Sequence, residues 1–241
     1  KNEYNNLYQA LFKNAAIHQS IVSTLANHTY GLSQKDLKEK TDMPDSGSFQ
    51  RALNELILSD FVEESLPFGR KKRGTLYRLI DGYSIFYHRF IKPNPKYTSG
   101  IWQQLAASQA YKIWTGYAFE TLCHKHIDEI KHVLGISAVY TEIYSLQIPS
   151  DENQPGFQID LLIDRKDDAI NLCEVTFYSG PFTIDKNYYD QLIQKRQRFI
   201  EYTGTKKQVF ITLITNHELV MNQYANEIVD ASITLADIIE S

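Results

Sequence analysis

Two short apolar runs, residues 157–163 and 170–177, each carry one carboxylate near the middle, Asp160 and Glu174, and the polar stretch Asp164-Arg165-Lys166-Asp167-Asp168 joins them. Alternation on both sides of a polar turn predicts a β-hairpin with acid in its strands. With the turn centred on Asp167, antiparallel pairing sets Asp160 directly opposite Glu174 on one face. Like charges opposed across a ladder destabilise a sheet. A chain keeps such a pair either because both groups are solvated, or because a metal ion or a shared proton offsets the repulsion. The second case is a chemistry. Hydrolysis of a phosphodiester with a divalent metal calls for oxygen ligands converging from neighbouring strands and a cation near the attacking water. Glu120, on a preceding helical pattern, would supply a third ligand and the carbonyl of Val175 a fourth. The competing reading is carboxylates on an exposed strand face.

Positioning these groups requires a sheet held between helices. A long helical pattern covers about 101–134, a strand 139–148, the acidic hairpin follows, then a helix over 183–202 and a strand over 208–214. The order α-β-β-β-α-β predicts a mixed sheet flanked by helices in a domain spanning 104–241. The aromatic stretch from Tyr83 to Ile91 and the Pro-containing residues after it read as a junction, 83–103.

The N-terminal third has a different pattern. Residues 15–28 read as a helix with Ile17, Ile21 and Leu25 on one face, broken at Gly31. Ser33 caps a short helix over 34–40, and Ser46 or Ser48 opens a third helix reaching Ser59. In that helix Phe49, Leu53, Leu56 and Ile57 face inward, which leaves Gln50, Arg51 and Asn54 outward. Two strands, 61–66 and 75–80, flank a loop holding Arg70, Lys71, Lys72 and Arg73. Three helices and a two-stranded ribbon predict a winged helix over 15–82. Four consecutive cations at a hairpin tip suit contact with nucleic-acid phosphates, and Gln50 and Arg51 are candidates for a second contact. The alternatives are a solvated turn or a surface that docks another domain.

Composition narrows the classes. A net charge of −4 excludes a uniformly basic nucleic-acid coat but leaves local patches open. The apolar fraction of 43% is ordinary for a globular protein, and no apolar stretch reaches the length of a membrane span, so the expected setting is the cytoplasm without membrane contact. Cys123 and Cys173 lie in helix-like and strand-like runs and are expected as buried free thiols. His124, Asp128 and His132 share a helical stripe, which reads as a solvated face rather than a zinc site.

The run Gly156-Phe157-Gln158-Ile159-Asp160-Leu161-Leu162-Ile163-Asp164-Arg165, with Asn171-Leu172-Cys173-Glu174 and Pro181-Phe182-Thr183-Ile184-Asp185-Lys186 after it, resembles the C-terminal region of a family of archaeal and bacterial AAA+ ATPases. In that family a P-loop ATPase module precedes a winged helix and a nuclease-like domain of the PD-(D/E)XK type. The winged-helix pattern, Gly116-Tyr117-Ala118-Phe119-Glu120 and the hairpin stand in the same order, so the resemblance spans nearly the whole chain.

The resemblance implies Asp160, Glu174 and Glu120 as ligands of Mg2+ or Mn2+, and DNA as partner. It also implies a lysine two residues after Glu174, where this sequence has the neutral Thr176. Lys186, Lys195 or Arg196 on the following helix would replace it, and Gln158, Tyr188 and Gln191 would line the cleft. The sequence holds no Gly-x-x-x-x-Gly-Lys-Ser/Thr, so ATP would bind only in an N-terminal module missing from this chain. Residues 1–14 would then be a linker or the end of that module, and the parent ATPase a homo-oligomer. The resulting expectation is an α/β (α+β) chain that binds and cleaves nucleic acid. The alternative is a catalytically inactive nuclease-fold module that docks a partner or regulates the attached ATPase.

Overall fold

The hairpin forms in the computed structural model, which describes residues 2–43, 47–69, 74–94, 101–148, 150 and 156–241. Strands β5 (Phe157–Arg165) and β6 (Ala169–Thr176) pair antiparallel, with Leu161 opposite Cys173, Leu162 opposite Leu172, Ile163 opposite Asn171 and Asp164 opposite Ile170. That is the register of a turn centred on Asp167. Asp168 takes φ 60°, the left-handed conformation that closes a three-residue hairpin loop and that Asp tolerates. The paired residues end at Leu161 and Cys173, one step before Asp160 and Glu174.

The hairpin is the centre of a five-stranded mixed sheet. It adds β4 (Thr141–Ile148), β8 (Gln208–Thr215) and β10 (Ala231–Thr234) in the order β10-β8-β6-β5-β4. The β6, β8 and β10 neighbours run parallel, whereas β4, β5 and β6 are antiparallel. Purely polar edges would not drive this assembly; β6 is buried from Ala169 to Cys173 because it lies in the middle of the sheet. Each fully buried Leu or Ile of such strands contributes about 1.5–3 kcal/mol.

One face of the sheet presents Leu161, Ile163, Cys173, Val175, Ile214 and Ile233 to Phe119 and Cys123 of α7 (Gln109–Lys125), Ile130 of α8 (Ile127–Val133) and Ile238 of α11 (Leu235–Glu240). The other face carries Ile159, Leu162, Leu172, Glu174 and Thr176, and α9 (Lys186–Thr203) reaches Glu174 and Thr176 through side-chain hydrogen bonds. Tyr144 pairs with Leu162 but Leu146 with Ile159, a bulge in β5 that turns Asp160 off the Glu174 face on which plain alternation had set it. The expected single helix over 101–134 is interrupted. Ser108 accepts a hydrogen bond from the backbone N–H of Tyr111 at 3.2 Å and so caps α7 afresh, and His126 opens α8 with a non-helical backbone. The pairing of β7 (Phe182–Thr183) with β9 (Leu219–Val220), α10 (Gln223–Ile228) and the parallel edge strand β10 were not foreseen.

Contacts divide the chain into two units, Lys1–Lys112 and Ile113–Ser241, so the division falls inside α7 rather than at residue 104. In the first unit α2 (Ala15–Leu25), α3 (Gln34–Thr41) and α4 (Gly47–Leu58) precede β2 (Val62–Ser65) and β3 (Leu76–Leu79). The expected ribbon is three-stranded, because β1 (Leu32–Ser33) pairs with β3 in the order β1-β3-β2. Gly31 makes that approach, with φ 82° and a position where a Cβ would stand 2.7 Å from the carbonyl oxygen of Tyr77.

Residues 1–14, expected as a linker or the end of a missing module, include α1 (Asn2–Leu11), and Tyr4, Tyr8 and Phe12 enter the core of this unit. Tyr4 stacks on Tyr87 at 3.7 Å, Phe12 stacks on His18 at 4.0 Å, and the Tyr8 hydroxyl bonds Ser84 Oγ at 2.7 Å. The described part of the expected junction is helical, as α5 (Gly82–Phe86), a π-helical turn (Tyr87–Ile91) and α6 (Ile101–Ala106). The cations Arg70, Lys71, Lys72 and Arg73, and Ser46, lie outside the described residues. No described helix is long and apolar enough to cross a membrane.

Candidate active site

Glu174 sits near the end of β6, half-buried, and both of its carboxylate oxygens are engaged. Lys195, from the third turn of α9, brings its ammonium to 2.5 Å from Oε2, with the two side chains only 20% and 15% exposed. Tyr188, seven residues earlier on the same helix face, donates its hydroxyl to Oε1 at 3.4 Å. The Thr176 hydroxyl lies 3.3 Å from that phenol oxygen. Tyr188 has one proton and gives it to the carboxylate, so Thr176 must be the donor in the second bond. Burial, with the neighbouring Glu174 charge adding to it, pushes the Tyr188 phenol well above the ordinary tyrosine range, which keeps it a donor.

α9 is aimed by its start. Asp185 caps it by accepting the backbone N–H of Tyr188 at 2.8 Å, and the Asn222 amide holds the Ile184 carbonyl at 2.8 Å. Leu192 and Phe199 bury the helix face adjoining Lys195.

Asp160 is held differently. Gln158, two residues back on the same strand face, donates its amide to Asp160 Oδ1 at 2.6 Å. His124 Nε2 lies 2.9 Å from the Asp160 carbonyl oxygen; a carbonyl only accepts, so Nε2 carries the proton. His124 is therefore a strand-holding residue, and the expectation of a solvated stripe with Asp128 and His132 fails at its first member.

Glu120 is carried by α7, which packs on the face opposite Glu174. Its charge is felt by the buried Cys123 thiol, which burial first, then Glu120 and more weakly Asp160, push up to about 12. Among the described residues, no group of three or more His, Cys, Asp or Glu side chains is placed to hold a metal ion. Asp160 and Glu174 supply oxygen ligands of the type a hard divalent cation takes, and magnesium is commonly held by one or two carboxylates with water completing its shell. Val175 lies within the β6–β8 ladder opposite Ile214.

No protein-family model, curated protein or solved structure matches this chain. Its site is therefore read from its own geometry.

That geometry sorts the sequence candidates. Gln158 bonds Asp160, Tyr188 and Lys195 bond Glu174, and Thr176 joins them through Tyr188. Lys186 and Gln191 stand exposed on α9. Gln50 and Arg51 are exposed on α4 in the first unit, where Gln50 bonds Gln34 and Asn54. Asn216 had escaped notice, and His124 was read only as part of a solvated stripe. An i, i+7 relation between Tyr188 and Lys195 was legible in the sequence, but neither the histidine nor the asparagine has a spacing that announces its distant backbone partner.

Proposed function

We propose that residues 113–241 form a PD-(D/E)XK nuclease-like unit, preceded by a winged helix, that binds nucleic acid and cleaves it with Mg2+ or Mn2+ as part of a larger AAA+ ATPase. The observation that carries this reading is the Lys195 ammonium at 2.5 Å from Glu174 Oε2. It supplies, from α9, the cation that Thr176 cannot supply from β6. The order of helices and the three-stranded sheet in the first unit supports the winged helix.

In this mechanism Asp160 and Glu174 would hold the divalent ion, which would supply Lewis-acid polarisation of the phosphodiester. Glu120, on α7, adds its charge to the local field. Lys195 faces the carboxylate and stabilises the negative charge that develops on the transferring phosphoryl group, an effect worth about 3–4 kcal/mol of barrier where one such donor is removed. Tyr188 and Thr176 orient Glu174, and Gln158 orients Asp160.

The second reading, an inactive module that docks a partner or regulates the ATPase, is favoured by the closure of Glu174 on both oxygens. It is also favoured by charge: residues 113–241 hold ten Lys and Arg against nineteen Asp and Glu, whereas residues 1–112 hold fifteen against ten. The experiment is cleavage of plasmid and branched DNA in magnesium or manganese by the wild type, Asp160→Ala and Lys195→Met. Cleavage lost in both variants supports the nuclease. Equal cleavage by all three assigns the signal to contamination and leaves the interaction module.

A further inference from the structure

Immediately after Glu174 and Thr176 the chain leaves β6 through Phe177 and Tyr178, both 43% exposed. An exposed aromatic ring by itself is ordinary on a protein surface. Tyr178 is not ordinary, because its backbone is gripped on both sides by one side chain: Asn216 Oδ1 accepts the Tyr178 N–H at 2.7 Å and Asn216 Nδ2 donates to the Tyr178 carbonyl at 2.7 Å. Two bonds from a single amide hold the ring's origin fixed while one side of the ring stays in water.

The other side continues into the site. The Tyr178 ring packs on Phe182 at 4.5 Å, Phe182 meets Tyr188 edge-on at 5.2 Å, and Tyr188 bonds Glu174. An unbroken aromatic wall thus runs from solvent to the carboxylate. Beside it α9 carries Lys186, Lys195, Arg196 and Arg198 against Asp190 and Glu201, a local excess of cations in an otherwise acidic unit.

We infer that Tyr178 is a stacking platform for an unpaired base, which makes single-stranded nucleic acid the substrate class of this site; the inference rests on the nucleic-acid reading above. A base inside a duplex has both faces covered by its neighbours and offers none to a ring. An unpaired base offers a π-face whatever its identity, while the backbone follows the cations. Asn216 acts as a positioning residue that holds the platform ready.

The test uses the full chain, without metal, and fluorescence anisotropy of a short labelled oligothymidylate and of a duplex of the same length. Tyr178→Ala should weaken single-strand binding roughly 5- to 150-fold, the range set by loss of one base–aromatic stack. Tyr178→Phe keeps the π-face and should bind like the wild type. Tyr178→Leu keeps the apolar contact with Phe182 without a π-face and should bind like the alanine variant, which separates stacking from a packing role. Duplex binding should not change in any variant.

Wild-type protein that does not bind the single strand, an alanine variant that binds it as the wild type does, or a leucine variant that binds like the phenylalanine variant would each overturn the inference. Cleavage lost in Lys195→Met with Tyr178→Ala binding unchanged overturns it and spares the nuclease reading. Stacking lost in Tyr178→Ala with no cleavage by the wild type does the reverse.

Discussion

His124 on α7 holds the backbone carbonyl of Asp160 on β5 at 2.9 Å, so a helix packed on the sheet anchors the strand position that carries this carboxylate. Removing the imidazole leaves that carbonyl without its donor. His124→Ala is expected to cost about 1–3 kcal/mol in urea unfolding, the penalty of an unmet buried polar group with the packing lost beside it. Amide exchange should rise at Asp160 and its neighbours before it rises in β8. Equal exchange in wild type and variant would place the support for Asp160 elsewhere.

Lys195 and Glu174 form a pair mostly removed from solvent, and each single substitution strands the other charge. Lys195→Met and Glu174→Gln should each destabilise by about 1–3 kcal/mol, below the full cost of a stranded buried charge because both groups keep some water contact. The double variant should be more stable than the sum of the singles allows. A double-mutant cycle by thermal unfolding measures this, and additive losses would show that the two charges do not interact.

His88 makes stability depend on pH. Burial first, and the Lys92 charge second, lower its pKa from 6.5 to about 4. The protonated Tyr4 hydroxyl lies 2.9 Å from its Nε2 and donates to the neutral ring. The unfolded chain therefore binds this proton near pH 6.5 and the folded chain only near 4. The contribution is whole above pH 6.5, drains as pH falls from 6.5 to 4, and stays constant below. After a discount for partial solvation it amounts to about 1–2 kcal/mol. His88→Gln should keep its stability over this interval while the wild type loses ground to it, as read by melting temperature at successive pH values.

Gly31→Ala should destabilise the first unit by about 2 kcal/mol or more, since alanine resists φ 82° and its methyl carbon meets the Tyr77 carbonyl. Circular-dichroism melts would show this, and an unchanged melt would mean that β1 can leave β3 at no cost.

Local pattern accounts for much of the architecture. The acidic hairpin and its register follow from alternation about Asp167, and Ser33 was legible as a helix cap because its side chain bonds a backbone three residues on. The helix breaks at Ser108 and His126 were not legible, since apolar residues continue across both. Tyr4, Tyr8 and Phe12 were not legible as core residues because their partners, Tyr87, Ser84 and His18, include residues more than seventy positions away.

For the candidate site, the sequence by itself determined which residues could meet on a strand face: Glu174 and Thr176 share theirs because side chains alternate with period two. It also set Tyr188 and Lys195 on one stripe of a helix. Only the tertiary structure decided which candidate cation reaches Glu174, that a bulge turns Asp160 off the Glu174 face, and that His124 and Asn216 fasten backbone from afar. Spacing along a chain fixes direction within one element, whereas distance between elements depends on how sheet and helices pack, which no single element's pattern contains.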